Sequence, residues 1–165
     1  MKLSFIDLTP ENWEVYKVFI MKSESTFPEE VQETEEDIYE TLLKKGTAAK
    51  IALADGVYAG NTLAGKLNEE EIELYLLKDK GINPDASIYL YNIVVDEAYK
   101  NKGIGLKLLL ETVEKAKAMG YQKMIGHFRE SQSLGLFKRA GGQEIERVED
   151  WFDSGESYVY CELDF

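Results

Sequence analysis

Apolar residues recur along the chain at two spacings, one typical of helices and one typical of strands. Leucine, valine and alanine fall every three or four positions over Leu106–Ala118, with lysine and glutamate between them, and predict an amphipathic helix. Ser87–Val95 is rich in aromatic and β-branched residues and is the clearest predicted strand. Asp55-Gly56, between two apolar runs, predicts a hairpin turn.

Weaker patterns place further elements on both sides of this strand and helix. They predict strands at Leu3–Leu8, Ala49–Ala54, Val57–Leu67, Tyr121–Phe128, Gln143–Val148 and Tyr158–Leu163, and helices at Thr34–Lys45 and Ser131–Ala140. Thr9 as N-cap and Pro10 in the first turn predict a helix that runs to about Ser23. Glu69–Leu77 fits either a short helix or a strand. The chain is thus predicted to be one mixed α/β domain over residues 1–165, with helices flanking one open sheet.

Length and composition exclude several classes of protein. With 165 residues and 44% hydrophobic positions, the chain can bury the core of one domain. No apolar run reaches the roughly 18–20 residues that cross a bilayer, and the first residues lack the apolar stretch of a secretory signal. Cys161 is the only cysteine, which excludes an internal disulfide and a metal site built on paired cysteines. We therefore expect a cytoplasmic protein with no membrane segment and no metal.

The acidic residues are strongly clustered. The formal net charge is −12, and the segments Glu24–Glu40 and Glu144–Asp164 each hold eight carboxylates. An acidic surface repels phosphate backbones, so nucleic acid is not an expected partner. The acidic runs fit a solvated face or an entrance that attracts cationic substrates, and the sequence leaves both interpretations open.

The loop between the predicted strand and helix carries the clearest chemical signal. It ends in Lys100-Asn101-Lys102-Gly103-Ile104-Gly105. The first turn of a helix presents unpaired N–H groups and the positive end of its dipole, and glycines let a ligand approach the main chain closely. Lys100 and Lys102 add positive charge in an otherwise acidic chain. The loop is therefore predicted to bind an anion, and a diphosphate fits it.

Two common diphosphate motifs do not fit this loop. The Lys-Ser/Thr pair of a Walker loop is missing, because Lys107 is followed by Leu108. The dinucleotide fingerprint is also incomplete, since no third glycine follows Gly103-Ile104-Gly105. A nucleotide-binding module is accordingly disfavoured.

The segment Tyr99–Gly105 resembles the pyrophosphate loop of the GCN5-related N-acetyltransferases, the GNAT family, whose pattern is Arg/Gln-x-x-Gly-x-Gly/Ala. Residues 130–142, which read ESQSLGLFKRAGG, resemble the second motif of that family, in which an asparagine is followed seven residues later by a tyrosine. The resemblance covers about Ser87–Gly142, which would be the CoA-binding core. It implies a mostly antiparallel central sheet flanked by helices, with acetyl-CoA as cosubstrate and an amine as acceptor.

The resemblance also implies how the cosubstrate is held. The main-chain N–H groups from Asn101 to Leu106 would bind the CoA pyrophosphate, and the pantetheine arm would pair with Ile93, Val94 and Val95. The N–H group of Val94 or of Val95 would then polarise the thioester carbonyl.

Three positions depart from the family pattern. Lys100 replaces the usual arginine or glutamine and keeps a positive charge. Glu130 stands where the family has the asparagine that contacts the cofactor. Phe137 stands where the family has the tyrosine that protonates the leaving thiolate, and phenylalanine has no proton to give.

The sequence assigns no general base. The strand positions that often carry a carboxylate in the family read Tyr89, Leu90, Tyr91 and Asn92. Tyr91 or Asn92 can hold a water molecule, with Glu97 or another acid further away, and His127 has a usable pKa.

The combined prediction is an N-acetyltransferase that acts on a primary amine of a small molecule or peptide by direct attack in a ternary complex. The acidic surface favours a cationic acceptor, and the chain is expected to be a monomer or a homodimer. The alternative is a catalytically silent acyl-CoA-binding module, which Phe137 and the missing carboxylate favour.

Overall fold

The structure is a computed structural model that describes residues 1–130 and 133–165. Its strands are β1 (Leu3–Asp7), β2 (Ala48–Ala54), β3 (Val57–Gly65), β4 (Ser87–Val95), β5 (Lys123–Arg129), β6 (Gln143–Val148) and β7 (Tyr158–Asp164). Its helices are α1 (Trp13–Glu24), α2 (Glu35–Leu43), α3 (Glu69–Leu74), α4 (Ile104–Ala118) and α5 (Ser133–Arg139). The start of the predicted helix Ser131–Ala140 lies outside the described residues. None of the helices described is long and apolar enough to cross a membrane.

The strands form one sheet in the order β1-β2-β3-β4-β5-β7-β6. Neighbouring strands are antiparallel except for β4 and β5, which run parallel. Helices α1 and α2 pack on one face of the sheet, and α4 and α5 pack on the other. The apolar side chains in these two layers include Trp13, Ile20, Ile38 and Leu42, and Leu109, Val113, Leu134 and Phe137. The predicted mixed sheet flanked by helices is confirmed.

The strongest sequence patterns produce the predicted elements. Strand β4 has the predicted bounds, and helix α4 begins two residues before the predicted Leu106 because Gly103 is its N-cap. Strands β2 and β3 form the predicted hairpin. Its turn residues Asp55 (φ +50°) and Gly56 (φ +80°) are both left-handed, as a two-residue hairpin turn requires.

The prediction for the start of the first helix is wrong. The Thr9 N–H group donates to Asn12 Oδ1 at 2.8 Å, and the Asn12 N–H group donates to Thr9 Oγ1 at 3.4 Å. These bonds close a turn ahead of the helix, so α1 begins at Trp13 rather than at Pro10. The Asn12 N–H group also donates to the Thr9 carbonyl oxygen at 3.3 Å, which keeps residues 9–12 in a separate turn.

The segment that the sequence left undecided contains helix α3. The Asn68 side chain accepts from the Glu71 N–H group at 2.8 Å, and the Glu71 side chain accepts from the Asn68 N–H group at 3.2 Å. This reciprocal capping box satisfies two donors that the first turn of a helix leaves unpaired. The start of α3 is therefore determined by residues 68–71.

Strands β4 and β5 separate after a short parallel contact. Their paired residues end at Tyr89 and Ile125. Beyond these, β4 continues to pair with β3 as far as Val95, and β5 continues to pair with β7 as far as Arg129. Among the described residues, a gap thus opens in the middle of the sheet, which we call the strand gap. Its two edges carry main-chain groups that no neighbouring strand satisfies.

Candidate active site

The loop before helix α4 contains two residues with left-handed backbone conformations. Asn101 has φ +63° and Gly103 has φ +76°. In the described part of the chain, the N–H groups of residues 101–106 have no hydrogen-bond acceptor in the protein. A Cβ atom added to Gly103 would meet no heavy atom within 4 Å, so this side of the loop is open. The loop therefore presents several free donors at the positive end of α4, which fits a diphosphate.

The other residues of the predicted loop have different surroundings. Lys100 and Lys102 are exposed, and Lys100 Nζ lies 2.9 Å from the Glu97 carboxylate. Ile104 is buried in the core and Leu106 is partly buried. A Cβ atom added to Gly105 would lie 3.2 Å from Leu136 and 3.4 Å from Val95. Gly105 is thus required for the packing of α4 on β4 and α5, whereas Gly103 is the glycine that faces the open side.

The strand gap is lined by alternate main-chain groups of β4. The Asp96 N–H group donates to β3 at 2.8 Å, and the Val94 carbonyl oxygen lies against Gly60 of the same strand. Because successive residues of a strand direct their main-chain groups to opposite edges, those of Ile93 and Val95 face the gap. The N–H group of Val94 faces β3. This orientation corrects the expected role of Val94 beside the thioester.

Glu130 and Phe137, the two departures within residues 130–142, do not offer a free polar group to the gap. The Glu130 carboxylate forms an ion pair with Arg147 of β6. Phe137 is fully buried, and its ring stacks on Phe128 with the ring centres 4.2 Å apart. Phe137 therefore acts as a core residue of α5 in this chain.

A cavity of about 390 Å³ lies beside the strand gap, on the face of the sheet that α1 and α2 cover. The turns at Glu29–Val31 and Trp151–Asp153 both line the cavity and contact each other. Its acidic side chains are Glu24, Glu30, Glu33, Asp37, Glu40 and Glu71. Five of the eight carboxylates in the acidic run Glu24–Glu40 therefore line this cavity, so the run is more than a solvated face. Among the described residues, no group of acidic, histidine or cysteine side chains is arranged to hold a metal ion.

Two of these carboxyl groups change protonation state near neutral pH. Burial raises the pKa of Glu24 to about 7, although its carboxylate accepts a hydrogen bond from the Glu33 N–H group at 2.6 Å. Burial, together with the negative charges of Glu24, Asp37 and Glu71, raises the pKa of Glu33 to about 7. Strand β4 itself carries no carboxyl group, and neither glutamate could be assigned from the sequence, because only the folded α1–α2 segment brings both to the cavity.

Strand β4 carries one extra residue, Tyr91, where its register against β3 shifts. Through this bulge, Tyr91 and Asn92 both line the cavity. The Tyr91 hydroxyl donates to Glu71 Oε2 at 2.6 Å. Burial and this carboxylate raise the pKa of Tyr91 far above its usual range, so its hydroxyl keeps its proton.

His127 is held in a structural arrangement. Its Nδ1 atom lies 2.7 Å from the Tyr89 hydroxyl, and its ring stacks on Trp151 with the ring centres 4.0 Å apart. Burial, assisted by the charge of Lys80, lowers the pKa of His127 to about 3. The imidazole therefore stays neutral at physiological pH and is a poor proton acceptor.

Tyr158 brings a free hydroxyl group to the cavity. Its side chain lines the cavity and is 6% exposed, and among the described residues its hydroxyl has no hydrogen-bond partner. Buried hydroxyl groups are rarely left unpaired in folded proteins. The neighbouring Arg129 guanidinium is already paired with Glu156 at 2.9 Å. The Tyr158 hydroxyl is thus available to a ligand.

Comparison with known families gives one match to the sequence. The model described as the acetyltransferase (GNAT) family matches residues 12–141. No curated protein sequence matches the chain significantly.

Solved acetyltransferase structures share the fold at low sequence identity. The ribosomal-protein-S18-alanine N-acetyltransferase of Escherichia coli aligns with a TM-score of 0.73 and 15% identity, over 99% of this chain and 94% of that one. The yncA protein of Salmonella typhimurium, solved with its cofactor acetyl-CoA, aligns with a TM-score of 0.74 and 13% identity over 99% and 94% of the two chains. A chain of the NatC complex bound to Gag peptide and CoA aligns with a TM-score of 0.80 and 13% identity, over 100% and 99%.

Proposed function

The chain belongs to the GNAT acetyltransferase family, and we propose that it transfers the acetyl group of acetyl-CoA to a primary amine of a cationic acceptor. The observation that carries this proposal is the acidic cavity beside the strand gap, with Glu24 and Glu33 among its walls. A cationic amine is attracted to these carboxylates, and an anionic acceptor is repelled. The acceptor can be a small molecule or a peptide.

The loop before α4 and the strand gap form the proposed acetyl-CoA site. The free N–H groups of residues 101–106 would hold the pyrophosphate, with Lys100 and Lys102 adding charge. Ile93 and Val95 would pair with the pantetheine arm. We assign the N–H group that polarises the thioester carbonyl to Ile93, because Ile93 lines the acceptor cavity as well as the gap.

Glu33 is the proposed general base, acting directly or through a water molecule. An alkyl ammonium with a pKa near 10 is only roughly 0.1% neutral at pH 7, so it must shed a proton before it can attack. A carboxylate with a pKa of about 7 is well matched to take that proton. The Glu24 carboxylate accepts a hydrogen bond from the Glu33 N–H group and so holds Glu33 at the cavity. Glu24 also contributes to the negative charge of the cavity.

No tyrosine is needed as general acid for this reaction. The amine nitrogen bonds to the acyl carbon, the carbon–sulfur bond breaks, and CoA leaves as a thiolate. A thiol has a pKa of about 8.5, so its thiolate leaves readily near neutral pH. The second amine proton is lost to solvent or to the thiolate as the amide forms. Phe137, which stacks on Phe128, would then only shape the core behind the site.

We propose that the protein works in the cytoplasm, without nucleic acid, metal or membrane, and as a monomer or a homodimer. The alternative is a catalytically silent acyl-CoA-binding module, which Phe137 and the missing carboxylate on β4 favour.

A thiol-release assay tests the proposed function. Purified protein is given acetyl-CoA and a panel of acceptors: an aliphatic diamine, a monoamine, a peptide with a free N-terminus, and an acidic amino acid. We expect CoA release with the cationic acceptors and little with the acidic one. Tight CoA binding by calorimetry with no turnover across the panel would instead identify the silent module.

A further inference from the structure

A chain of buried hydrogen bonds connects helix α1 to the cavity through strands β3 and β4. Ser23 Oγ lies 3.2 Å from the Tyr58 hydroxyl, which donates to Asn61 Oδ1 at 2.5 Å. Asn61 Nδ2 in turn donates to Asn92 Oδ1 at 3.2 Å. All four residues are buried, with exposed fractions between 1% and 7%. We call these residues the polar relay.

The order of donors and acceptors in the polar relay determines how the Asn92 amide is oriented. Because the Tyr58 hydroxyl donates to Asn61 Oδ1, the Asn61 amide must present its NH₂ group to Asn92. Asn92 then accepts with its oxygen, and its own NH₂ group remains. In the described chain this Nδ2 atom has no protein partner, and Asn92 lines the cavity beside Ile93. The polar relay thus leaves a fixed donor at the cavity wall.

A donor at this position answers a specific electrostatic problem of the site. When the amine nitrogen bonds to the acyl carbon, the carbonyl electron pair moves onto oxygen, which becomes negative. The six carboxyl groups of the cavity favour the cationic acceptor but disfavour this oxygen. A negative acyl oxygen is stabilised by hydrogen-bond donors that are already in place before the reaction. The only main-chain donor that we have assigned to this oxygen is the Ile93 N–H group.

We propose that Asn92 Nδ2 donates a hydrogen bond to the acyl oxygen of bound acetyl-CoA, as the side-chain partner of the Ile93 N–H group. Tyr58 and Asn61 act as positioning residues, because they hold the Asn92 amide with its NH₂ group towards the cavity. The inference rests on the proposed function for its kinetic consequences. Its spectroscopic consequence depends only on acetyl-CoA binding.

The first test replaces the donor itself. The Asn92→Ala variant is expected to lower kcat by about 10²–10³-fold, with little change in KM for the amine, since the bond strengthens as charge develops. In an isotope-edited infrared spectrum, the carbonyl band of bound ¹³C-labelled acetyl-CoA should move to higher wavenumber, because it loses a hydrogen bond. An unchanged carbonyl band in a variant that still binds acetyl-CoA would overturn the proposal.

The second test acts on the relay from outside the cavity. Tyr58→Phe removes one oxygen atom and frees the amides of Asn61 and Asn92 to rotate. We expect kcat to fall by about tenfold and the carbonyl band to split into two populations. Thr112→Val is the matched control, since it removes a buried hydrogen bond of 2.6 Å to Thr62 at the α4 packing face. Equal carbonyl spectra for Tyr58→Phe and Thr112→Val would reject the relay.

These readouts separate the inference from the proposed function. If acetyl-CoA binds and the carbonyl band responds to Asn92→Ala while no amine is acetylated, the donor assignment stands and the acceptor proposal fails. If amines are acetylated and Asn92→Ala leaves kcat and the carbonyl band unchanged, the donor assignment fails alone.

Discussion

At the scale of single residues, the cavity depends on carboxyl groups whose protonation is set by their surroundings. Glu24 is almost fully buried. The negative charges of Glu24, Asp37 and Glu71 lie close enough to Glu33 to raise its pKa. Without a cation, the negative forms are therefore costly, and both groups hold protons up to about pH 7. A bound ammonium compensates this charge.

The first prediction concerns the pH dependence of turnover. Because Glu33 must be deprotonated to act as the base, kcat/KM should rise with pH through about pH 7 in the wild-type protein. Glu33→Gln should lower kcat by about 10²–10⁴-fold and remove this limb of the profile. Initial rates of CoA release from pH 5.5 to 9 measure both effects.

The matched control for this prediction is Glu30→Gln. Glu30 also lines the cavity, but it is exposed. The same loss of one negative charge should then leave the pH limb near 7 in place. A Glu33→Gln variant that keeps the wild-type limb would show that another group is the base.

The second prediction concerns the unpartnered hydroxyl of Tyr158. If the acceptor supplies the missing hydrogen bond, Tyr158→Phe should raise KM for the acceptor by about 5–10-fold, which corresponds to one hydrogen bond of about 1 kcal/mol. The Kd for CoA should not change, because the side chain lines the acceptor cavity. Removal of an unpaired buried hydroxyl should also raise the melting temperature slightly. An unchanged acceptor KM together with that rise would mean that the hydroxyl binds no substrate.

At the scale of elements, the loop before α4 depends on a backbone shape that few residues adopt. Gly103 has a left-handed conformation, which costs a residue with a Cβ atom about 1–2 kcal/mol. Because the space beside Gly103 is open, a side chain added to this residue would point to where the pyrophosphate is proposed to lie. The same helix ends near a second left-handed glycine, Gly120, whose added Cβ atom also meets nothing within 4 Å.

The third prediction uses these two glycines as a matched pair. Gly103→Val should weaken CoA binding by at least about 100-fold, because it perturbs the loop shape and obstructs the free N–H groups. Gly120→Val should carry a similar backbone cost but leave the affinity for CoA unchanged. Isothermal calorimetry gives the affinities, and thermal unfolding gives the backbone cost. Equal CoA affinities in the two variants would argue against the loop as the pyrophosphate site.

Elements whose signal is local were predictable from the sequence, and those set by distant contacts were not. Strand β4 and helix α4 follow from periodicity and residue type over their own length. The turn between Thr9 and Asn12 could not be foreseen, because it depends on each of these side chains accepting a hydrogen bond from the main-chain N–H group of the other. The extra residue at Tyr91 likewise cannot be predicted from the sequence, because a register shift is defined only by pairing with the neighbouring strand.

The residues of the candidate site also differ in how far the sequence alone could predict them. The proposed anion-binding loop is a continuous segment, so its glycines and lysines could be proposed from the sequence directly. Glu33 lies 54 positions before Ser87, the first residue of β4, and only the packing of α1 and α2 on the sheet brings it to the cavity. The role expected for the Val94 N–H group could not be checked without the fold, because the groups of β4 that face the gap depend on which residue of β4 meets β3.

At the scale of the whole molecule, the acidic cavity links stability to pH. A carboxyl group with a raised pKa in the folded protein binds more protons when folded than when unfolded. Glu24 and Glu33 are raised from 4.5 to about 7, so the free energy of unfolding should fall as the pH rises from about 4.5 to about 7. For buried Glu24 alone, the shift corresponds to about 3 kcal/mol. The formal net charge of −12 acts in the same direction.

The fourth prediction separates these two sources of pH sensitivity. The melting temperature should fall between pH 5 and pH 8, and Glu24→Gln should make the fall shallower, because an amide cannot ionise in the buried position. Glu30→Gln reduces the net charge by the same amount but should keep the wild-type slope, since Glu30 is exposed. An aliphatic diamine should raise the melting temperature more at pH 8 than at pH 5, because Glu24 and Glu33 add their negative charge to the cavity only at the higher pH. A diamine effect that is equal at both pH values would mean that the cation binds elsewhere, and the cavity would lose its place as the acceptor site.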